Sequence, residues 1–256
     1  MKTFALILTA LFAVSCATPA EARRSRRHGK KSSYERYERH DAMGTITLNG
    51  HPTDVRWSDG DSFNIKSGPY SGLSSRLVGY NTLEAYGPVH RWGDWTAKEL
   101  YDIAKKSSAV AAMEEWECTT DGKKEGYGRL LVTCPKLNEH MVREGVATAY
   151  AVENTKPQEG LLEIQAQAMK AGAGMWAKGT VNGIITSLHS IDEERGSSGK
   201  AYNRIVDTRT GSADKRGHER RYNTCEEVCE DIDGTKSCMV YVPFENRYKN
   251  KPDCLK

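Results

Sequence analysis

Along most of this chain apolar and polar residues alternate in short runs, the pattern of strands, and three longer stretches read as helices. The first apolar run, Phe4 to Val14, is too short to cross a bilayer and has the length of a signal-peptide core. Gly44 to Leu48 and Val55 to Trp57 read as the first strands. Phe63 and Ile65 alternate with polar neighbours after a tight Asp59-Gly60-Asp61 turn, in which glycine is expected to supply a positive φ. Arg76 to Val78 reads as the next strand and Gly79 to Glu84 as the loop leaving it. Trp92 to Lys106 carries Trp95, Leu100, Ile103 and Ala104 loosely on one face, which predicts a helix. Trp116 to Cys134 predicts a hairpin around Asp121-Gly122 and Gly126, with Leu130 to Val132 in its second arm. Asn138 is placed to cap a short helix through Val142. Gln158 to Lys170 predicts a third helix, ended by Gly172 and Gly174, and Trp176 then anchors the core. Beyond it Ile184 to Leu188, Ile205-Val206 and Met239 to Phe244 read as short strands, with Glu193 to Lys200 and Asp207 to Gly217 as loops.

Charge changes this picture only locally. Thirty-seven Lys and Arg against 34 Asp and Glu leave a net charge of +3, too little by itself to mark a nucleic-acid binder. The tract from Arg23 to Asp41 is strongly basic and lacks apolar periodicity, so it reads as a disordered linker. It is either a solvated spacer or an arm that holds polyanions near the folded part. Two exits from the signal stretch compete: cleavage after Ala20-Glu21-Ala22, or an imperfect lipobox that would lipidate Cys16. The single Lys2 ahead of the apolar run, with many arginines behind it, weighs against efficient export, yet export remains the reading.

The cysteines support it. Seven are present, and removing or lipidating Cys16 leaves six for pairing in an oxidising compartment. Cys118 and Cys134 lie eight residues either side of Gly126, so a symmetric hairpin sets them opposite each other for a cross-strand disulfide. Thr224 to Glu227 looks like a capping box that starts a short helix at Cys225. Cys225 and Cys229 would then share a helix face and bond outward to Cys238 and Cys254, in an order the spacing leaves open. The rival, a four-cysteine zinc site, needs knuckles that C-x3-C-x8-C-x15-C does not contain.

The stretch from Asp59 to Glu84 carries the chemistry. Asp, Asn and Glu at two strand ends supply oxygen ligands for a hard cation, and Arg76 among them supplies a planar fork for phosphate. The order of DGDS, RLVGYNTLE, YGR, MVREGVA and QAQAMKAGAGMW resembles the staphylococcal-nuclease-like (thermonuclease) family over Met43 to Lys178. The resemblance implies an α+β fold: a five-stranded OB-type β-barrel packed with three helices, followed in this chain by a small disulfide-stapled C-terminal extension. The chain then divides into a signal peptide (1–22), a basic linker (23–42), the nuclease-like domain (43–178) and a Cys-rich extension (179–256).

The same resemblance assigns roles. Asp61 stands as a Ca²⁺ ligand, Thr82 as a carbonyl ligand, Arg76 and Arg129 as the phosphate arginines, and Glu84 as the group that positions or deprotonates water. Tyr127 and Tyr150 are taken as substrate contacts, although Tyr150 lies one residue out of register and Glu153 falls where a second tyrosine is expected. Asn81 replaces the second metal-ligating aspartate, and Leu83 replaces a proline. The reading is an exported, monomeric, Ca²⁺-dependent phosphodiesterase acting on DNA and RNA, with no protein partner implied. A weak or inactive nucleic-acid-binding module of the same fold is the alternative, and an envelope-attached structural protein is the third. His189 and His218 read as polar surface residues, and the extension has no function assigned.

Overall fold

The computed structural model describes residues 42–152, 155–193, 201–247 and 252–255. The signal stretch, Cys16, the basic tract to Asp41, Glu153 and most of the loop expected from Glu193 to Lys200 lie outside the described residues.

Six strands make the first sheet: β1 (Ala42–Leu48), β2 (His51–Trp57), β3 (Ser62–Ile65), β4 (Ser74–Leu77), β7 (Trp116–Cys118) and β8 (Leu130–Val132). Their order is β7-β1-β2-β3-β4-β8, parallel at β1/β7 and β4/β8 and antiparallel between. Alternation is the cause, since Ile46, Leu48, Val55, Trp57, Phe63, Ile65 and Leu77 all point into one core. The sheet curls until its two edges meet, where Thr119 and Thr133 exchange N–H···O bonds of 2.9 Å each way. The disulfide Cys118–Cys134 (Cα–Cα 4.3 Å) lies next to that seam. The expected symmetric hairpin therefore holds at its base only. Lys124 bridges Leu130, out of register with the Thr119/Thr133 pair, and the arms pair mainly with β1 and β4.

The strand and helix counts differ from a five-stranded, three-helix barrel, and the reason is local. Gly79 has φ +108° and breaks the expected strand after Leu77, so Val78 turns outward, 42% exposed. The chain restarts as β5 (Gly79–Thr82) in a second sheet, with β9 (Ala147–Val152), β10 (Gly183–Leu188), β11 (Ala201–Asp207) and β12 (Ser212–His218). Its order is β10-β11-β12-β9-β5. The stretch Asp207 to Gly217, expected as a loop, is largely strand β12, because pairing with β11 overrides its polar composition. A third sheet joins β13 (Glu227–Ile232), β14 (Thr235–Val240) and β6 (Val89–Trp92).

Among the described residues the α-helices are α1 (Ala97–Ala111), α2 (Pro135–Arg143), α3 (Leu161–Ala171) and the short α4 (Phe244–Arg247). Helix α1 starts five residues later than expected, where Thr96 and Glu99 form a capping box. Helix α2 starts at Pro135, so Asn138 is not its cap. Asn138 is buried inside the helix and donates to the Val78 carbonyl at 2.9 Å. Gly172 (φ +64°) caps α3 as expected.

A Cβ on Gly79 would meet both a left-handed φ and the Asn138 amide in hard contact. Gly79→Ala is therefore expected to lower stability by about 2 kcal/mol or more in urea unfolding, and an unchanged midpoint would contradict this.

Residues after 178 share the core of those before it. Val181, Ile184, Val206 and Ala213 pack with Leu83, Trp92, Leu100, Met175 and Trp176. A further cluster of Ile185, Leu188, Ile205, Val228, Met239 and Tyr241 belongs to the extension alone. Cys229 pairs with Cys238 across β13/β14 and Cys225 with Cys254. With every one of these cysteines disulfide-bonded, the rival four-thiolate zinc site is excluded. The helix expected at Cys225 is absent. Cys225 sits at φ +66°, and its N–H donates to the Tyr241 carbonyl at 2.9 Å, which leads the chain into a strand instead.

Candidate active site

Asp61 immediately precedes β3 at the end of the 59–61 turn, and the turn is tight for a different reason from the one expected. Gly60 does not have a positive φ. Its Cβ position is filled by Met141, Ser107 and Thr82, each 2.7 Å away, so only glycine fits. The Asp61 N–H donates to Asp59 Oδ1 at 3.1 Å, and the Tyr80 hydroxyl donates to the Gly60 carbonyl at 2.5 Å. The β3/β4 ladder places Ser62 opposite Arg76, and the Leu77 N–H donates to the Asp61 carbonyl at 2.9 Å.

Asp61 is buried, and its two oxygens organise the site. Oδ1 forms an ion pair with Arg76 Nη1 and accepts the Ser62 hydroxyl at 3.1 Å. Oδ2 accepts the Thr82 N–H at 2.8 Å and its hydroxyl at 3.0 Å. Arg76 Nη2 donates to Asn81 Oδ1 at 2.5 Å, and Asn81 Nδ2 donates to the Thr82 carbonyl at 2.6 Å. Arg129 joins from the far side through Nη1 to Ser62 Oγ at 3.4 Å, while its Nε is held by Glu125 at 3.0 Å. Asp61, Arg76, Asn81, Thr82 and Arg129 are thus in one hydrogen-bonded network.

Electrostatics divides the carboxyls. Burial pushes Asp61 up, but the Arg76 charge and the Thr82, Asp59 and Arg76 hydrogen bonds outweigh it and hold Asp61 below the usual range. Asp59 is pushed well above that range by burial and by the charge of Asp61. Glu84 is also raised, by burial and then by Asp61, against the lowering pull of Arg247, Arg76 and Arg129. Arg76 stays charged throughout: burial opposes its charge, and Asp61 and Asp59 more than restore it.

Two expected substrate contacts differ from the others. Tyr127 is 79% exposed, with the Arg129 guanidinium 5.9 Å from its ring. Tyr150 is half-buried on β9, opposite Gly79 of β5, and its hydroxyl accepts from Arg204 Nη1 at 3.4 Å.

Sequence reasoning missed two residues. His90 is buried, and its Nε2 accepts the Glu84 N–H at 3.1 Å, fixing the backbone that carries the carboxyl. Arg247, from α4, packs on Gly87 and supplies the largest lowering influence on Glu84. Neither had a local signal: one is a lone histidine in a short strand between Val89 and Trp92, and the other lies far along the chain in the extension.

Burial lowers His90 to about 3, so the folded state keeps it neutral while the unfolded chain protonates near 6.5. The stability this group contributes is complete above pH 6.5. It falls by about 1.4 kcal/mol per unit as the pH drops toward 3, because the unfolded state then binds the extra proton. His90→Gln, which retains an acceptor without a titration, is expected to flatten the stability curve between pH 6.5 and 4.5 by about 2 kcal/mol. Parallel curves for the two proteins would refute the assignment.

Asp61, Asn81 and Thr82, tied together by hydrogen bonds, offer carboxylate, amide and carbonyl oxygens, the donor types a hard cation takes, and Glu84 adds a second carboxylate. The residues present therefore fit calcium. The family model described as Staphylococcal nuclease homologue matches residues 74–178, which include Arg76, Asn81, Thr82, Glu84 and Arg129. Asp61 precedes the match and is tied to it by the β3/β4 ladder, and Arg247 follows it. No curated protein matches the chain.

Proposed function

We propose, from the match of residues 74–178 to the family model described as Staphylococcal nuclease homologue and from the site's geometry, that this protein is an exported, calcium-dependent nuclease that hydrolyses phosphodiester bonds of DNA and RNA with little base preference. The observation that carries this reading is the network in which two guanidiniums, Arg76 and Arg129, meet through Ser62 and Asp61 beside Glu84. Contacts of this kind are to phosphate, which carries no sequence information.

Arg76 and Arg129 bind the scissile phosphate and stabilise the charge that grows on its equatorial oxygens. Glu84 orients the attacking water and accepts its proton, and its raised pKa brings it closer to the working range of a general base. Asp61 and Asn81 hold Arg76 in place, while His90 holds the Glu84 peptide. Asp61, Asn81 and Thr82 would hold the calcium ion, which, when bound, neutralises charge on the phosphate. Three disulfides support an oxidising location, reached by cleavage of the leader or through a lipid on Cys16. The protein acts as a monomer.

Asn81 favours a second reading. It contributes an oxygen but no charge, and its Oδ1 is engaged by Arg76. A site short of one negative charge binds calcium more weakly, and a protein that grips polynucleotides without cutting them would result if that affinity is too low. Calcium titration of single-stranded DNA digestion separates the two. Asn81→Asp is expected to lower the half-saturating calcium by about tenfold or more. Binding with no cleavage at any calcium concentration, even in Asn81→Asp, would leave the binding module.

A further inference from the structure

The sheet that carries Asn81 does not stop at the barrel. From β5 it runs through β9 to β12, β11 and β10, all three contributed by residues beyond the family match. On the face shared with Tyr150, β11 presents Tyr202 and Arg204, and β12 presents Lys215 directly opposite Arg204. We propose that this face holds the flanking part of the single-stranded polynucleotide whose phosphodiester lies at Arg76, the strand leaving the site past Tyr150. The inference rests on the nuclease reading above.

The residues form a continuous path. Tyr150 lies opposite Gly79, two residues before Asn81, and its hydroxyl receives Arg204 Nη1 at 3.4 Å. The Arg204 guanidinium is 5.7 Å from the Tyr202 ring and Lys215 Nζ is 5.1 Å from it. His189 stacks on the same ring, with centroids 4.4 Å apart and planes 30° from parallel. A half-buried aromatic ring flanked by two cations and backed by a second flat ring is the combination single strands require. Bases stack on the rings and phosphates meet the cations. Alternation sends Asp214, Arg216 and Asp207 to the opposite face, where Arg216 pairs with Glu230 at 3.0 Å. Along the described β10, β11 and β12, no ladder residue on the Tyr202 face is acidic. Strands in a sheet lie about 4.8 Å apart, so the three steps from β5 to β11 set Tyr202 beyond the reach of a dinucleotide cut at Arg76.

The test compares cleavage of a dinucleotide with cleavage of an oligonucleotide of about ten residues, a length within the site sizes OB-type surfaces cover. Wild type is run beside the double variant Tyr202→Ala/Lys215→Gln and beside Tyr202→Phe. Arg204 is left intact because it also holds Tyr150. Wild type is expected to prefer the longer substrate. In the double variant the ratio of kcat/KM for long over short substrate falls about tenfold, whereas Tyr202→Phe, which keeps the ring, retains it. In EDTA the salt dependence of oligonucleotide binding should also be shallower by about 0.7 in log–log slope for the lost Lys215 contact. An unchanged ratio and slope in the double variant would overturn the proposal. If no protein cleaves either substrate, the catalytic reading fails separately and the binding slope alone decides the surface.

Discussion

Arg76→Ala is expected to lose activity by about 10²- to 10³-fold, the cost of removing one preorganised charge donor from a transition state, and to lose stability as well. The two losses have different origins. Activity is expected to fall because, in the proposed reaction, the guanidinium held by Asp61 and Asn81 is the one that meets the phosphate. Stability falls because Asp61 is buried and kept ionised mainly by Arg76. Taking away one partner of a buried pair leaves an uncompensated charge, worth about 3 kcal/mol for a pair whose arginine is still partly open to water. Arg76→Ala combined with Asp61→Asn should recover much of that stability without recovering activity. Urea unfolding and DNA digestion on the same preparations check both halves. A stable, active Arg76→Ala protein would show that the Asp61–Arg76 pair is neither a structural nor a catalytic centre.

Removing the disulfide Cys118–Cys134 by a double alanine substitution should cost about 3 kcal/mol, the chain-entropy value for a loop of roughly this size. The position makes the effect more than entropic. The curled sheet has edge strands β7 and β8, which meet at the Thr119/Thr133 bridge immediately beside the bond. Opening the seam frees the turn that carries Glu125 and Arg129, whose Nε Glu125 holds at 3.0 Å. A rise in KM for DNA should therefore accompany the drop in urea midpoint. Retention of both values after the substitution would mean that the β1/β7 and β4/β8 ladders close the barrel alone.

Much of this was legible in the sequence where chemistry and pattern coincide. Phe63 and Ile65 set the face of β3, and with it the placement of Asp61 at the strand's start. Gly172 ended α3, and the equal spacing of Cys118 and Cys134 about Gly126 anticipated the disulfide that joins them. The misses share one cause, which is tertiary context acting against local signals. Thr224 to Glu227 has the composition of a cap, yet hydrogen bonds to Tyr241 pull Cys225 and Glu226 alongside a strand. The polar stretch through Lys215 has no apolar alternation, yet β11 recruits it as a strand. His90 and Arg247 reach Glu84 only through packing between separate segments, and no single window contains that relation.

The most direct test is digestion of single-stranded DNA by the oxidised protein in calcium, in EDTA, and in calcium with Glu84→Gln, an isosteric change that removes the proposed proton acceptor. A calcium-dependent nuclease with Glu84 as its base requires cleavage that needs calcium, stops in EDTA and falls by about 10²- to 10⁴-fold in Glu84→Gln. Cleavage that persists unchanged in Glu84→Gln, or none at any calcium concentration, would contradict it.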